Sequence, residues 1–188
     1  MVFFVSLVGG VDISLTHVVR AGVAFLAIVP GAWILAPQGA QAREVVSYQG
    51  EYPAGVIVIS QRERRLYLTL GEGKAIRYRV AVARAGKAWS GWARVDGKHV
   101  NPAWAPPEMV RRDNPALPDL IPGGAPNNPM GVRALTLDRE EIAIHGTTES
   151  MRRSIGTAAS YGCIRMLNED IVDLFDRVRV GTAVVAVP

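Results

Sequence analysis

One cysteine, Cys163, occurs in 188 residues, so no internal disulfide can form. Three histidines occur, and only His99 and His145 lie beyond residue 42. That supply argues against zinc, which takes three or four protein ligands. No continuous basic stripe is present. The net charge is +4, the basic residues are scattered from Arg43 to Arg179, and Arg62, Arg64 and Arg65 cluster only around Glu63. A nucleic-acid footprint is therefore not expected. The chain also lacks a glycine-rich phosphate loop, an internal repeat and any low-complexity tract. Glu140-Glu141 sits before a strand and reads as a solvated cap, which leaves paired-carboxylate hydrolysis without support.

Hydrophobic residues make up 49% of the chain, enough for a core and too much for disorder. Residues 1–42 read as a leader. Arg20 precedes an apolar stretch of 15 residues, Ala21 to Leu35, and Ala40-Gln41-Ala42 offers small residues for cleavage. The stretch is short for a membrane span of roughly 20 residues, so a secretory signal is favoured over an uncleaved anchor. The apolar first eleven residues suggest that the true start lies near Val18. Export to the periplasm or cell envelope is the expected location, with residues 43–188 as one folded domain.

That domain reads as mainly β with few short helices. Val56–Ile59 is a short apolar run. Arg65–Leu70 and Ile76–Val82 alternate with period two around the turn Gly71–Lys74, the pattern of a hairpin. The alternation continues from Trp89 through Trp92 to Val95, and Gly97-Lys98-His99 reads as a turn. Eight prolines between residues 101 and 129 exclude long helices and central strands there. Trp104, Met109, Leu117, Leu120 and Ile121 would pack this excursion down as a lid. Arg133–Leu137 and Glu141–His145 are two more strands. Ser150–Ala159 suggests a short helix. Asn168 is placed to cap a second one, with Glu169 and Asp170 in its first turn, Ile171, Leu174, Phe175 and Val178 on its apolar face, and Arg177 at its C-terminal end. Gly181-Thr182 turns the chain into a last strand, Ala183–Val187.

The chemistry concentrates at two places. Cys163 lies in Ser160-Tyr161-Gly162-Cys163-Ile164-Arg165-Met166, and His145 closes the apolar run Ile142-Ala143-Ile144. A thiol is a useful nucleophile as thiolate, and an imidazole is the usual base for it. The N–H groups of Tyr161, Gly162 and Cys163 are candidates for an oxyanion hole beside the sulfur. No acid follows His145, so a backbone carbonyl such as that of Gly146 is the candidate orienter of the ring. Thiol, base and amides together describe acyl transfer through a thioester.

The same residues carry a family resemblance. His145-Gly146-Thr147 followed by Ser160-Tyr161-Gly162-Cys163-Ile164-Arg165-Met166 resembles the signature of the L,D-transpeptidases, the YkuD-type catalytic domain. Asn128–Leu135, Leu167–Asp170 and the closing Gly181-Thr182 strand fit as well, so the resemblance covers about residues 55 to 187. It implies a β-sandwich-like fold with Cys163 as nucleophile, His145 as general base and acid, and the Gly146 carbonyl holding the imidazole. It places Arg165 and Ser160 beside the substrate, with Arg165 either binding a carboxylate or bracing the site. It implies peptidoglycan stem peptides as substrate, no metal or nucleotide cofactor, and an amine acceptor. That acceptor is a second stem peptide or an outer-membrane protein or lipoprotein. Tyr161 departs from the pattern, in which His usually precedes Gly-Cys. Water as acceptor would make the protein an L,D-carboxypeptidase. A non-catalytic peptidoglycan-binding module and an unrelated cysteine hydrolase are the remaining alternatives, and oligomeric state is unreadable.

Overall fold

The computed structural model describes residues 43–188, so the expected leader, 1–42, lies outside the described residues. Period-two alternation builds the first half. β1 (Arg43–Ser47), β2 (Ile57–Ser60), β3 (Arg65–Gly71) and β4 (Lys74–Arg79) form an antiparallel group in which β3 and β4 make the expected hairpin. β5 (Val82–Ala83) is short, and β6 (Gly91–Val100) is the longest strand. The proline-rich excursion carries one short helix, α1 (Glu108–Asp113). β7 (Arg133–Leu137), β8 (Ala143–His145), β9 (Ala158–Ser160), β10 (Ile164–Arg165), α2 (Asn168–Arg177) and β11 (Ala183–Val187) follow. The strands order as β1-β4-β3-β2-β11-β6-β7-β8-β10, and β5 pairs separately with β9. No helix among the described residues is long and apolar enough to cross a membrane.

β6 joins the two halves. Its first residues pair with β11, its later ones with β7, and the register shifts between Val95 and Gly97. Such a shift bends a strand and turns its direction. Gly97-Lys98-His99, expected as a turn, is therefore part of a strand, with His99 Nε2 3.3 Å from Thr136 Oγ1. Inward residues of both halves meet in one core: Ile57, Ile59, Leu66, Tyr78, Leu135, Ile144, Ile164 and Met166 are all essentially inaccessible. The opposite face of β2 and β11 carries Val56, Val58 and Val185 under Tyr48, Tyr52 and Tyr67.

α2 lies against β7 and β8 and buries Ile171 and Leu174 completely. Each such side chain contributes about 1.5–3 kcal/mol. The Tyr78 hydroxyl donates to Asp173 (2.6 Å) and ties the helix to β4. One expectation changes at α2. Asn168 does not cap α2: Leu167 occupies the cap without a side-chain bond, and Asn168 faces the β8 side instead. Arg177 pairs with Asp173 one turn back, while the Lys98 ammonium donates to the Phe175 and Val178 carbonyls at the helix end (2.6 and 2.7 Å). The short helix expected within 150–159 is present as a 3-10 helix, Glu149–Ser154, with Thr148 accepting from Met151 N, and β9 follows it. In the excursion, Ile121 is buried as expected, but Leu120 is exposed.

Asp170, in the first turn of α2, is fully buried, and neither carboxylate oxygen has a partner among the described residues. Burial, then the charge of Glu169, pushes its pKa from 3.8 up to about 6. Below 3.8 folded and unfolded chains both hold the proton. Between 3.8 and 6 the unfolded chain gives up its proton while the folded chain still holds it, so the native protein loses stability as pH rises across that window, and the loss is complete above 6. Asp170→Asn is expected to stabilise the fold at pH 7 by on the order of 2–3 kcal/mol. The gain should shrink towards zero by pH 4. Urea unfolding of both proteins across that range measures it.

Candidate active site

β10 runs parallel to β8, with Ile164 beside Ile144 and Arg165 beside His145, and Met166 N donates to the His145 carbonyl (2.8 Å). This short ladder brings the residue before β10, Cys163, to the strand that ends in His145. Both side chains line one cavity of about 140 Å3, walled by Trp104, Met109 and Val110 of the excursion and by Ile142. Cys163 is half-buried and unpaired.

The turn that presents the thiol is braced from three sides. The Ser160 hydroxyl donates to the Cys163 carbonyl (2.5 Å) and accepts from Gly162 N (3.2 Å). The Trp89 indole donates to the Gly162 carbonyl (3.1 Å). Gly162 has φ 145°, and a Cβ there would lie 2.6 Å from Ile142 Cδ1, so only glycine fits. The Gly162 N–H is thus engaged by Ser160. The Ser160 hydroxyl is buried and donates inside the turn, and the residue also lines the cavity with Cys163 and His145. Among the described residues, the N–H groups of Tyr161 and Cys163 have no oxygen or nitrogen acceptor.

His145 is held by its own neighbour: Nδ1 lies 2.8 Å from the Gly146 carbonyl. A carbonyl only accepts, so Nδ1 carries the proton and Nε2 keeps its lone pair. Asn168 fixes the segment that supplies this carbonyl. Its side chain accepts from Thr147 N (3.0 Å) and donates to the Thr147 carbonyl (2.9 Å). The fit is close, since a Cβ on Gly146 would stand 2.2 Å from Asn168 Oδ1.

The electrostatics keep both reacting groups neutral. Burial, then the Arg165 charge, lowers the His145 pKa from 6.5 to about 4, against the pull of the Gly146 and Pro129 carbonyls. Burial pushes the Cys163 thiol up, partly offset by the Ala143 N–H and by Arg165. The thiol hydrogen points at the Glu141 carbonyl (Sγ to O 3.4 Å). Glu141 itself is left-handed, with φ 58°, a conformation that non-glycine residues hold at a cost. Burial thus favours the uncharged form of both the imidazole and the thiol.

Arg165 is 9% exposed. Its guanidinium donates to Ser154 Oγ (2.8 Å), its Nε has no partner, and no carboxylate lies within ion-pair distance among the described residues. Burial lowers its pKa. A buried cation without a counter-charge is costly, and an incoming anion would relieve that cost. A second, larger cavity of about 730 Å3 also reaches Cys163. Asp96, Glu108, Asp138, Glu140 and Glu141 line it, with Arg139 as the only basic residue. Glu140 and Glu141 line both cavities, and Arg165 and His145 line only the smaller one. Trp89, Glu141 and Asn168 were not assigned to the site by sequence; Asn168 carried a helix-capping signal that pointed elsewhere.

The chain is similar to known proteins in sequence and in fold. A family model for the L,D-transpeptidase catalytic domain, YkuD, matches residues 54–186. The probable L,D-transpeptidase YbiS of Escherichia coli K12 is 36% identical over 138 residues, covering 69% of this chain and 43% of that protein. The probable L,D-transpeptidase ErfK/SrfK of Salmonella typhimurium is 36% identical over 165 residues, or 82% and 52% of the two chains. The chain therefore spans about half the length of these curated relatives. A solved protein of Brucella melitensis, named a probable carnitine operon oxidoreductase, is 37% identical and superposes with TM-score 0.52 over 79% of this chain and 93% of its own. An L,D-transpeptidase from Mycobacterium smegmatis shares the fold, with TM-score 0.57 at 10% identity over 79% and 83%.

Two outcomes follow from the geometry. Because the thiol is un-ionised, iodoacetamide should alkylate Cys163 more slowly at pH 7 than it alkylates a free thiol, with the rate climbing into the alkaline range; intact mass against time reads this out. Fast, pH-independent alkylation would reveal an ion pair instead. Gly146→Ala should displace Asn168, costing about 1–3 kcal/mol of stability as an overpacked contact. Thermal unfolding checks it.

Proposed function

The chain belongs to the L,D-transpeptidase catalytic-domain (YkuD) family, and on that premise we propose that it is a peptidoglycan L,D-transpeptidase acting in the cell envelope. The observation that supports the reading is that Cys163, the neutral His145, Tyr161 and Arg165, which has no carboxylate partner among the described residues, line one cavity. The redox name of the Brucella relative finds no counterpart in this sequence, which lacks a dinucleotide-binding glycine pattern.

The chemistry runs through these groups. The thiol turns from the Glu141 carbonyl to His145 Nε2, which takes its proton as Sγ bonds the carbonyl carbon of the stem peptide's third residue. The N–H groups of Tyr161 and Cys163 receive the developing oxyanion, each such donor being worth roughly 2.7–4 kcal/mol. The C–N bond breaks, His145 returns the proton to the departing D-Ala amine, and a thioester remains on Cys163. An acceptor amine then gives its proton to His145 and attacks the thioester. The sulfur leaves as thiolate and recovers that proton. Arg165 binds a carboxylate of the donor peptide. The acidic cavity attracts a cationic acceptor, which favours transfer to an amine over transfer to water. That acceptor is a second stem peptide or an envelope protein.

Incubation with disaccharide tetrapeptide should release D-Ala, and a carbapenem should add its mass to Cys163. Cys163→Ala should abolish both. His145→Ala should slow acylation about 10²–10⁴-fold, the usual worth of a positioned base. Arg165→Gln should raise KM for the tetrapeptide more than it lowers kcat. Absence of D-Ala release with every acceptor tested, together with no carbapenem adduct, overturns the reading.

A further inference from the structure

The excursion over the thiol is attached in an unusual way. α1 buries none of its residues. The excursion's own bonds are mostly internal: Arg111 to Pro106 and Asp119, Asn128 to the Pro102, Ile121 and Pro122 carbonyls, and Trp104 to Ile121. Away from its two ends, the only hydrogen bonds or ion pairs that leave it, among the described residues, come from Asp113. The Asp113 carboxylate accepts from the Tyr161 hydroxyl and pairs with Arg84 (2.8 Å). The Arg84 guanidinium also lies 3.9 Å above the Tyr161 ring, a cation–π geometry. The Arg84 N–H donates to the Ser160 carbonyl (2.9 Å), on the residue before Tyr161.

We propose that Tyr161, Asp113 and Arg84 form a latch that couples closure of the 101–129 excursion to alignment of the Tyr161 N–H beside Cys163. Tyr161 acts as a positioning residue. Its backbone supplies one of the two free amides of the turn, and its side chain is gripped by the element that covers the cavity. When Asp113 is engaged, ring and peptide plane are held together, and Met109 and Val110 close over the cavity. When Asp113 lets go, the cover loses its polar tether and the amide loses its lateral support. The tether is exposed, so it is weak enough to open and shut during turnover. The two hydrogen-bonded partners are 48 positions apart in sequence. The acylation part of the proposal rests on the transpeptidase reading; the tether itself does not.

The full chain, Tyr161→Phe, Asp113→Asn and the double variant are compared by hydrogen exchange and by carbapenem acylation, after circular dichroism has verified folding. Each single variant should speed exchange of amides 104–114. Each should slow acylation at saturating carbapenem about tenfold with little change in its half-saturating concentration. The double variant should be no slower than Asp113→Asn alone, because that substitution already weakens the links of Asp113 to both Tyr161 and Arg84. Unchanged exchange in the single variants overturns the latch. Faster exchange with unchanged acylation, or additive losses in the double variant, overturns the coupling. Should the native chain form no adduct, the transpeptidase reading fails, and the exchange comparison alone still decides whether the tether exists.

Discussion

The site depends on a parallel ladder only two residues long. β10 has room for Ile164 and Arg165, and its pairing with β8 sets Cys163, Arg165 and His145 on one side of the molecule. Ile164 and Ile144 are wholly buried beneath it, so the register is fixed by hydrocarbon packing. A slip by one residue would turn Arg165 into the core and Ile164 into the cavity. Asn168 secures the other side of the ladder by grasping Thr147 at both its N–H and its carbonyl. The position of His145 is thereby governed by core packing on one side and a neutral amide on the other.

Charge is distributed around this frame in a way that withholds ionisation. Arg165 and burial together disfavour the imidazolium, and burial disfavours the thiolate. The neutral orienter, the Gly146 carbonyl, suits such a base, since a carboxylate in its place would raise the imidazole pKa and promote premature proton transfer. The two cavities that meet at the sulfur share Glu140 and Glu141. The smaller adds the Arg165 guanidinium, and the larger adds the carboxylates of Asp96, Glu108 and Asp138.

Much of the scaffold was legible in the sequence because it is written in local patterns. β7 and β11 follow their apolar runs residue for residue, and β3 and β4 follow their alternation. Cys163 and His145 stood out through scarcity, residue chemistry and a signature spacing. What escaped depends on long-range partners. Gly97 signals a turn until a facing strand absorbs it as a bulge. Asn168 has the chemistry of a cap, yet Thr147 competes for its amide and wins. Nothing in the local sequence indicates that Trp89 reaches Gly162 or that Asp113 reaches Tyr161. The engagement of the Gly162 amide by Ser160 is likewise a matter of turn geometry that residue types alone do not reveal.

The burial that holds the Cys163 sulfur un-ionised also shields it chemically. Peroxides and mixed disulfides attack thiolates, so a sulfur that stays protonated between turnovers resists sulfenic acid formation and glutathione capture. Reactivity is then released only towards a carbonyl delivered within reach of the imidazole. A solitary thiol can in this way remain durable where oxidants are plentiful, and its longevity and its selectivity share one physical origin.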